Sequence, residues 1–177
     1  MATATPSIRV WDPVVRLFHW SLVAAVATAF LAEEGGRLHD AAGYLVLGLI
    51  AVRLVWGVLG PGHARFASFV AGPAALGRYL AGLVRGRPQR FLGHNPAGAV
   101  MILTLLTALT VAAGSGWLMT TDRFWGVEWV EELHEGSAWF VLALVGVHVL
   151  GVLVSSLLHR ENLVRAMITG RKPAVAG

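Results

Sequence analysis

Hydrophobic positions in this chain do not alternate with polar ones; they run on. Residues 17–32 carry no formal charge. Residues 41–60 are interrupted only by Arg53, residues 95–121 are charge-free, and residues 136–158 hold no Asp, Glu, Lys or Arg but include His148. A helix needs about 20 residues to cross the hydrocarbon core of a bilayer. With their flanks, the four runs predict membrane spans over 13–34, 38–60, 95–121 and 132–159. The first is the shortest, and Asp12-Pro13 supplies a helix cap followed by a first-turn proline. A cleaved leader would need a small residue two positions before Ala32, which is absent, so this run is read as a span.

Between the spans the pattern breaks unevenly. The connections 33–40 and 121–135 are short. The connection 61–94 is longer and carries five arginines, and its stretch 74–84 is apolar enough to predict a short helix lying on the membrane surface. The fold class expected is therefore all-α: a transmembrane four-helix bundle in a single domain, with a short surface helix between spans two and three.

Composition sharpens this picture. The chain is 56% hydrophobic and 14% charged, fewer charges than a soluble domain of this length carries. Cysteine is absent, which excludes disulfides, thiolate-held iron–sulfur clusters and covalent c-type haem attachment. The net charge of +4 could suggest nucleic acid, but the cations follow a membrane rule instead. The N-terminus, the long connection, the C-terminal tail and Arg53 hold 12 of the 14 basic residues. The positive-inside rule then places both termini in the cytoplasm. The outer loops collect Glu33, Glu34, Asp40, Asp122, Glu128, Glu131, Glu132 and Glu135, a surface suited to steering a basic periplasmic partner.

Seven histidines remain to be placed by depth. His19 lies in the inner part of span one and His39 at the outer end of span two. His134 opens span four at the outer side, and His148 lies in its inner half. These last two are 14 residues apart, a rise of roughly 21 Å, and return to within roughly 40° of the same helix face. Two depth-matched pairs result: His39 with His134, and His19 with His148. A lone intramembrane histidine more often bonds a neighbouring helix. Four that pair by depth favour the ligand reading, because facing imidazoles suit the two axial positions of haem iron. His63 is read as solvated, His94 as interfacial, and His159 as a rim residue that could replace His148.

Other residues fit. Gly43 lies one turn below His39, where a flat macrocycle needs space, and Gly136 and Gly146 can leave the same space beside His134 and His148. Arg16 and Arg53 could each pair a haem propionate, with headgroup snorkelling the bland alternative for Arg16. Span three has no ionisable group and is expected to back the bundle without supplying a ligand. The tryptophans gather near span ends, as an aromatic belt does.

The segments RLFHW, LHDAAGY, RLVWG and LHEGSAWFVLALVGVHVLG occur in this order. They resemble the bacterial cytochrome b561 and nickel–iron hydrogenase b-type cytochrome family, over residues 8–170. The resemblance implies four membrane helices, two haem b groups, and electron exchange between a periplasmic redox partner and membrane quinone. It implies haem ligation by His19, His39, His134 and His148, the bacterial inner membrane as location, and lipid and quinone as companions. Beside hydrogenase b subunits the chain is short, which favours a periplasmic c-type cytochrome partner or direct quinone chemistry; a homodimer is compatible, nucleic acid is not expected. Two other functions stay open: a quinone-linked oxidoreductase acting on a small oxidant or reductant such as superoxide, and a histidine-based metal or proton transporter.

Overall fold

The computed structural model describes residues 7–87 and 89–174, and these are overwhelmingly helical. In chain order they form β1 (Ser7–Arg9), α1 (Pro13–Leu31), α2 (Arg37–Leu59), two short 3-10 turns, α3 (Pro73–Val84), α4 (Pro96–Met119), α5 (Glu128–His159), α6 (Leu163–Thr169) and β2 (Arg171–Pro173). Helices α1, α2, α4 and α5 are long and apolar enough to cross a membrane. Their outward surfaces are apolar too: Leu17, Leu59 and Leu157 are each more than 70% exposed. Water would penalise so much exposed apolar side chain, and acyl chains would not.

The all-α expectation and the four spans hold, and α3 occupies the stretch expected for the short helix. One boundary moves substantially. Helix α5 starts at Glu128, so the acidic segment Glu128–Glu135 is helix and not loop. Glu128 and Glu131 lie in the first turn, where carboxylates favour the positive end of the helix dipole.

The chain divides into two compact units. One comprises Leu17–Val55 and Leu103–Gly146, and so contains segments of α1, α2, α4 and α5. Its interior is built from small and branched residues, with Ala25, Ala42, Val46, Leu106, Val130 and Val141 buried. Arg53 and Ser115 are buried there as well. The Tyr44 and Thr120 hydroxyls meet at 3.2 Å.

The other unit comprises Met1–Arg16, Trp56–Ile102 and Val147–Gly177. Asp12 caps α1 as the sequence predicts: its Oδ1 accepts from the backbone N–H of Val14 at 2.9 Å and of Val15 at 3.2 Å. The same oxygen accepts from the Trp56 indole at 3.1 Å. Trp56 is thereby tied to the helix start, and Trp11 is buried, so these two depart from the aromatic-belt expectation.

Helix α5 ends on Arg160, a non-glycine residue with φ 51°. The backbone N–H of Glu161 returns to the Ser156 carbonyl at 3.0 Å, a helix stop of the Schellman type. This turn brings Glu161 into the interior, and Asn162 then caps α6 through the Arg165 N–H at 2.7 Å. Gly170, with φ 78°, ends α6 where a side chain would meet the Trp11 carbonyl at 2.7 Å. Its own carbonyl accepts from Val10 N–H at 2.8 Å, which leads the tail into an antiparallel pairing of β1 with β2, Ile8 opposite Lys172.

Glu161 is a buried anion. It bonds the Arg90 guanidinium, and its second oxygen lies 3.7 Å from Lys172 Nζ. Arg90 also donates to the Pro173 carbonyl at 2.6 Å, and Lys172 to the Phe91 carbonyl at 3.3 Å.

Candidate cofactor site

His39 stands in the first turn of α2 and His134 in the second turn of α5. Their rings lie edge-on to each other, with centroids 5.9 Å apart and planes inclined at 77°. Each ring is held by its Nδ1. That of His39 lies 2.9 Å from the Ala29 carbonyl of α1, and that of His134 lies 2.8 Å from the Ala112 carbonyl of α4. A carbonyl can only accept, so each Nδ1 carries the proton. Each ring is therefore in the tautomer whose Nε2 lone pair is available to a metal, oriented as metal-binding histidines are by a partner behind the ring.

The source of each carbonyl has a local explanation. Ala29 lies in the last turn of α1, whose carbonyls have no partner further along the helix. His39 supplies the missing donor. Ala112 lies inside α4, four residues before Gly116. A side chain at position 116 would stand 2.8 Å from His134 Cε1 and 3.1 Å from Nδ1. The glycine leaves the Ala112 carbonyl uncovered, so its second lone pair can receive the imidazole. Ser115 Oγ lies 3.4 Å from the same Nδ1 while donating to the Val111 carbonyl at 2.8 Å.

His39 and His134 would together hold a haem iron, since each offers an Nε2 lone pair while its Nδ1 is engaged behind the ring. Side chains added at Gly43 or Gly136 would meet no atom within 4 Å, so neither position is closed off by a neighbouring helix. A bare tetrahedral ion fits less well. Among the described residues no three His, Cys, Asp or Glu side chains gather as a metal site, and two imidazoles leave such an ion half-coordinated.

Residues 10–170 match the family model described as prokaryotic cytochrome b561. The chain belongs to the prokaryotic cytochrome b561 family. It is thus a multi-pass membrane b-type cytochrome that works in electron transfer. Similar proteins include one from Rhizobium leguminosarum bv. viciae, 22% identical, with 94% of this chain and 89% of the relative aligned. Others come from Rhodobacter capsulatus, 22% identical over 94% of this chain and 81% of the relative, and Bradyrhizobium diazoefficiens, 21% identical over 97% and 88%. All three bear the name probable Ni/Fe-hydrogenase B-type cytochrome subunit. No solved structure matches the chain.

The other residues singled out in this cytochrome b561 sequence fall as follows. His19 and Arg53 belong to the same unit as His39 and His134, whereas Arg16 and His148 belong to the other. His19 meets Trp20 edge-on at 5.1 Å. The Arg16 guanidinium is committed to the end of α6, donating to the Met167 carbonyl at 3.3 Å and to the Ile168 carbonyl. Two further histidines have close neighbours. His63 is half-buried, and its Nδ1 lies where a Gly93 side chain would come within 2.8 Å. His94 is packed between the Trp11 and Phe69 rings, at 4.5 and 4.6 Å.

Sequence reasoning passed over the parts of the site that are backbone or absence: the Ala29 and Ala112 carbonyls and the missing side chain of Gly116. Helix α4 provides the carbonyl that sets His134. The run Gly114-Ser115-Gly116 in an otherwise apolar helix was the available signal.

Proposed function

We propose that this cytochrome b561 is a di-haem electron carrier that passes electrons between an external redox partner and the membrane quinone pool. The observation that carries the reading is the His39–His134 pair, two rings with centroids 5.9 Å apart and both Nδ1 atoms anchored to helix carbonyls. His39 and His134 would hold one haem b, and haem supplies one-electron exchange at near-fixed geometry. The chain's part is to fix each imidazole tautomer, to leave room beside Gly43, and to keep the site within apolar helices. A second haem on His19 and His148 rests on the depth matching and the 14-residue spacing in the sequence. Arg53, a buried cation, would serve a propionate, whereas Arg16 is already engaged by α6. The distribution of cations supports cytoplasmic termini, and membership of a prokaryotic family supports a bacterial inner-membrane location.

The names of the relatives favour a hydrogenase as the redox partner; the exposed acids at the start of α5 suit a basic c-type cytochrome instead. The test begins with haem content. Purified protein should contain two haems b per chain, and His39→Ala and His134→Ala should each lower this to one. A single haem in the wild type, or unchanged content in both variants, would overturn the reading. Reduction of the haems by hydrogen in membranes containing a hydrogenase, and not by a reduced c-type cytochrome, would assign the partner. Rapid reduction by a small molecule without any protein partner would favour the small-oxidant chemistry.

A further inference from the structure

Charge is segregated between the two units. The unit formed by Met1–Arg16, Trp56–Ile102 and Val147–Gly177 contains eleven Lys and Arg against two carboxylates, Asp12 and Glu161; the other contains three against eight. Both carboxylates of the cationic unit are already used. Asp12 caps α1 and holds Trp56. Glu161 is buried between Arg90 and Lys172. The exposed cations around them include Arg78, Arg85 and Arg87 at α3, and Arg160, Arg165 and Arg171 at α6. Arg9 and Arg65 are exposed as well. No carboxylate of this unit is left to neutralise them.

Two further observations point to the kind of anion. Exposed apolar side chains accompany the arginines: Leu80 and Val84 on α3, and Val164 and Ile168 on α6. Arg78 and the C-cap residue Arg85 are seven residues apart, two helical turns, and share one side of α3, while Leu80 and Val84 fall roughly 200–240° round from Arg78 on the other side, as in a helix lying in an interface. Tyr79 on the same helix is buried. Guanidinium groups mixed with apolar side chains suit a layer of phosphates lying over acyl chains better than an anion in water. The same unit also holds the first turn of α1, the last turn of α2, the start of α4 and the end of α5, and the ends of membrane helices are the parts that reach the headgroup layer.

We propose that the exposed arginines of α3 and its C-terminal end, Arg78, Arg85 and Arg87, bind anionic phospholipid headgroups. The claim goes beyond electron transfer and does not depend on the haem assignment. Lipid phosphate would be gripped by Arg78, Arg85 and Arg87, with Leu80 and Val84 entering the acyl layer beside it. Each cation near an anionic surface contributes about a fivefold factor in binding, so removing three predicts about a hundredfold loss.

The experiment uses the whole haem-loaded protein in neutral detergent, titrated with phosphatidylglycerol or with phosphatidylcholine. Bound lipid is counted by native mass spectrometry, and the thermal midpoint is followed in parallel. The wild type should retain phosphatidylglycerol in preference to phosphatidylcholine, and salt should weaken that preference. The R78Q/R85Q/R87Q variant should lose it by about a hundredfold while keeping its b-type absorption. A Glu131→Gln/Glu132→Gln variant should keep the preference. Equal retention of the two lipids by the wild type overturns the proposal, as does a preference that survives in the triple variant. Displacement of phosphatidylglycerol by an equal concentration of inorganic phosphate would assign the surface to soluble phosphates and also overturn it. Should the triple variant fail to accumulate, the lipid preference of the wild type and its salt dependence still decide.

Discussion

Replacing Gly116 by alanine tests the site at the point where it is tightest. The new methyl group would stand 2.8 Å from His134 Cε1 and 3.1 Å from its Nδ1. Non-bonded carbon atoms relax to about 3.5–4.0 Å, so the ring or helix α4 must give way by roughly 1 Å. Either movement pulls His134 from the Ala112 carbonyl, now 2.8 Å from Nδ1, because residues 112 and 116 belong to the same helix turn. Losing the bond that orients a metal-bound histidine typically lowers affinity about 10–100-fold, and overpacking of this kind costs about 1–3 kcal/mol. The two ranges agree, since about 1.4 kcal/mol is a factor of ten. Gly114 provides the control on the same helix: a side chain there would meet nothing within 4 Å. Gly114→Ala should therefore be neutral or stabilise α4 by about 0.5–1 kcal/mol. The assay is haem per chain by pyridine haemochrome, with a potentiometric titration of what remains. Gly116→Ala should lose or weaken one haem and Gly114→Ala should lose none. Equal haem content and equal potentials in the two variants would refute the role assigned to Gly116.

Other consequences follow from the unit rich in arginine. Asp12→Ala removes the α1 cap and the Trp56 acceptor together, a loss of about 2 kcal/mol that Asp12→Asn should largely restore, read as a lowered thermal midpoint. Glu161→Gln leaves Arg90 and Lys172 without a buried anion and should destabilise by roughly 3–5 kcal/mol; a change below about 1 kcal/mol would show that the pair contributes little. Burial pushes the Lys172 ammonium below its ordinary value of 10.5, against the attraction of Glu161. Between that depressed value and 10.5 the unfolded chain holds the proton more than the folded one, so stability should rise with pH there. Below the window the burial penalty is fully present. Lys172 is the chain's sole lysine, so Lys172→Met should abolish the rise when midpoints are compared up to about pH 10. Above that the Tyr79 hydroxyl, pushed up by burial against the opposing effect of its Ser155 bond, reverses the slope, since the unfolded tyrosine ionises first.

Depth along a helix is linear in residue number, and that is why so much of this site could be read by counting. A charge-free run announces a span, and a histidine's distance from its ends announces a level. Matching levels was enough to couple His39 with His134, 95 positions apart in the chain, and the two rings are neighbours, with centroids 5.9 Å apart. Asp12 was legible for a similar reason, since a cap is a local event. Counting fails where the deciding atom has no side chain. The Ala29 carbonyl matters because α1 stops at Leu31, and the Ala112 carbonyl because Gly116 does not cover it; neither alanine differs in sequence from its neighbours. Counting fails again where the chain turns. Glu161 beside Arg160 reads as a solvated rim pair, but the left-handed backbone at Arg160 sends the carboxylate inward to Arg90, 71 residues earlier. That single turn also explains why the unit's surface is so cationic. A buried anion neutralises two cations that were never on the surface and leaves the exposed arginines uncompensated. The net charge of the chain, +4, conceals this, because the acids that balance it belong to the other unit.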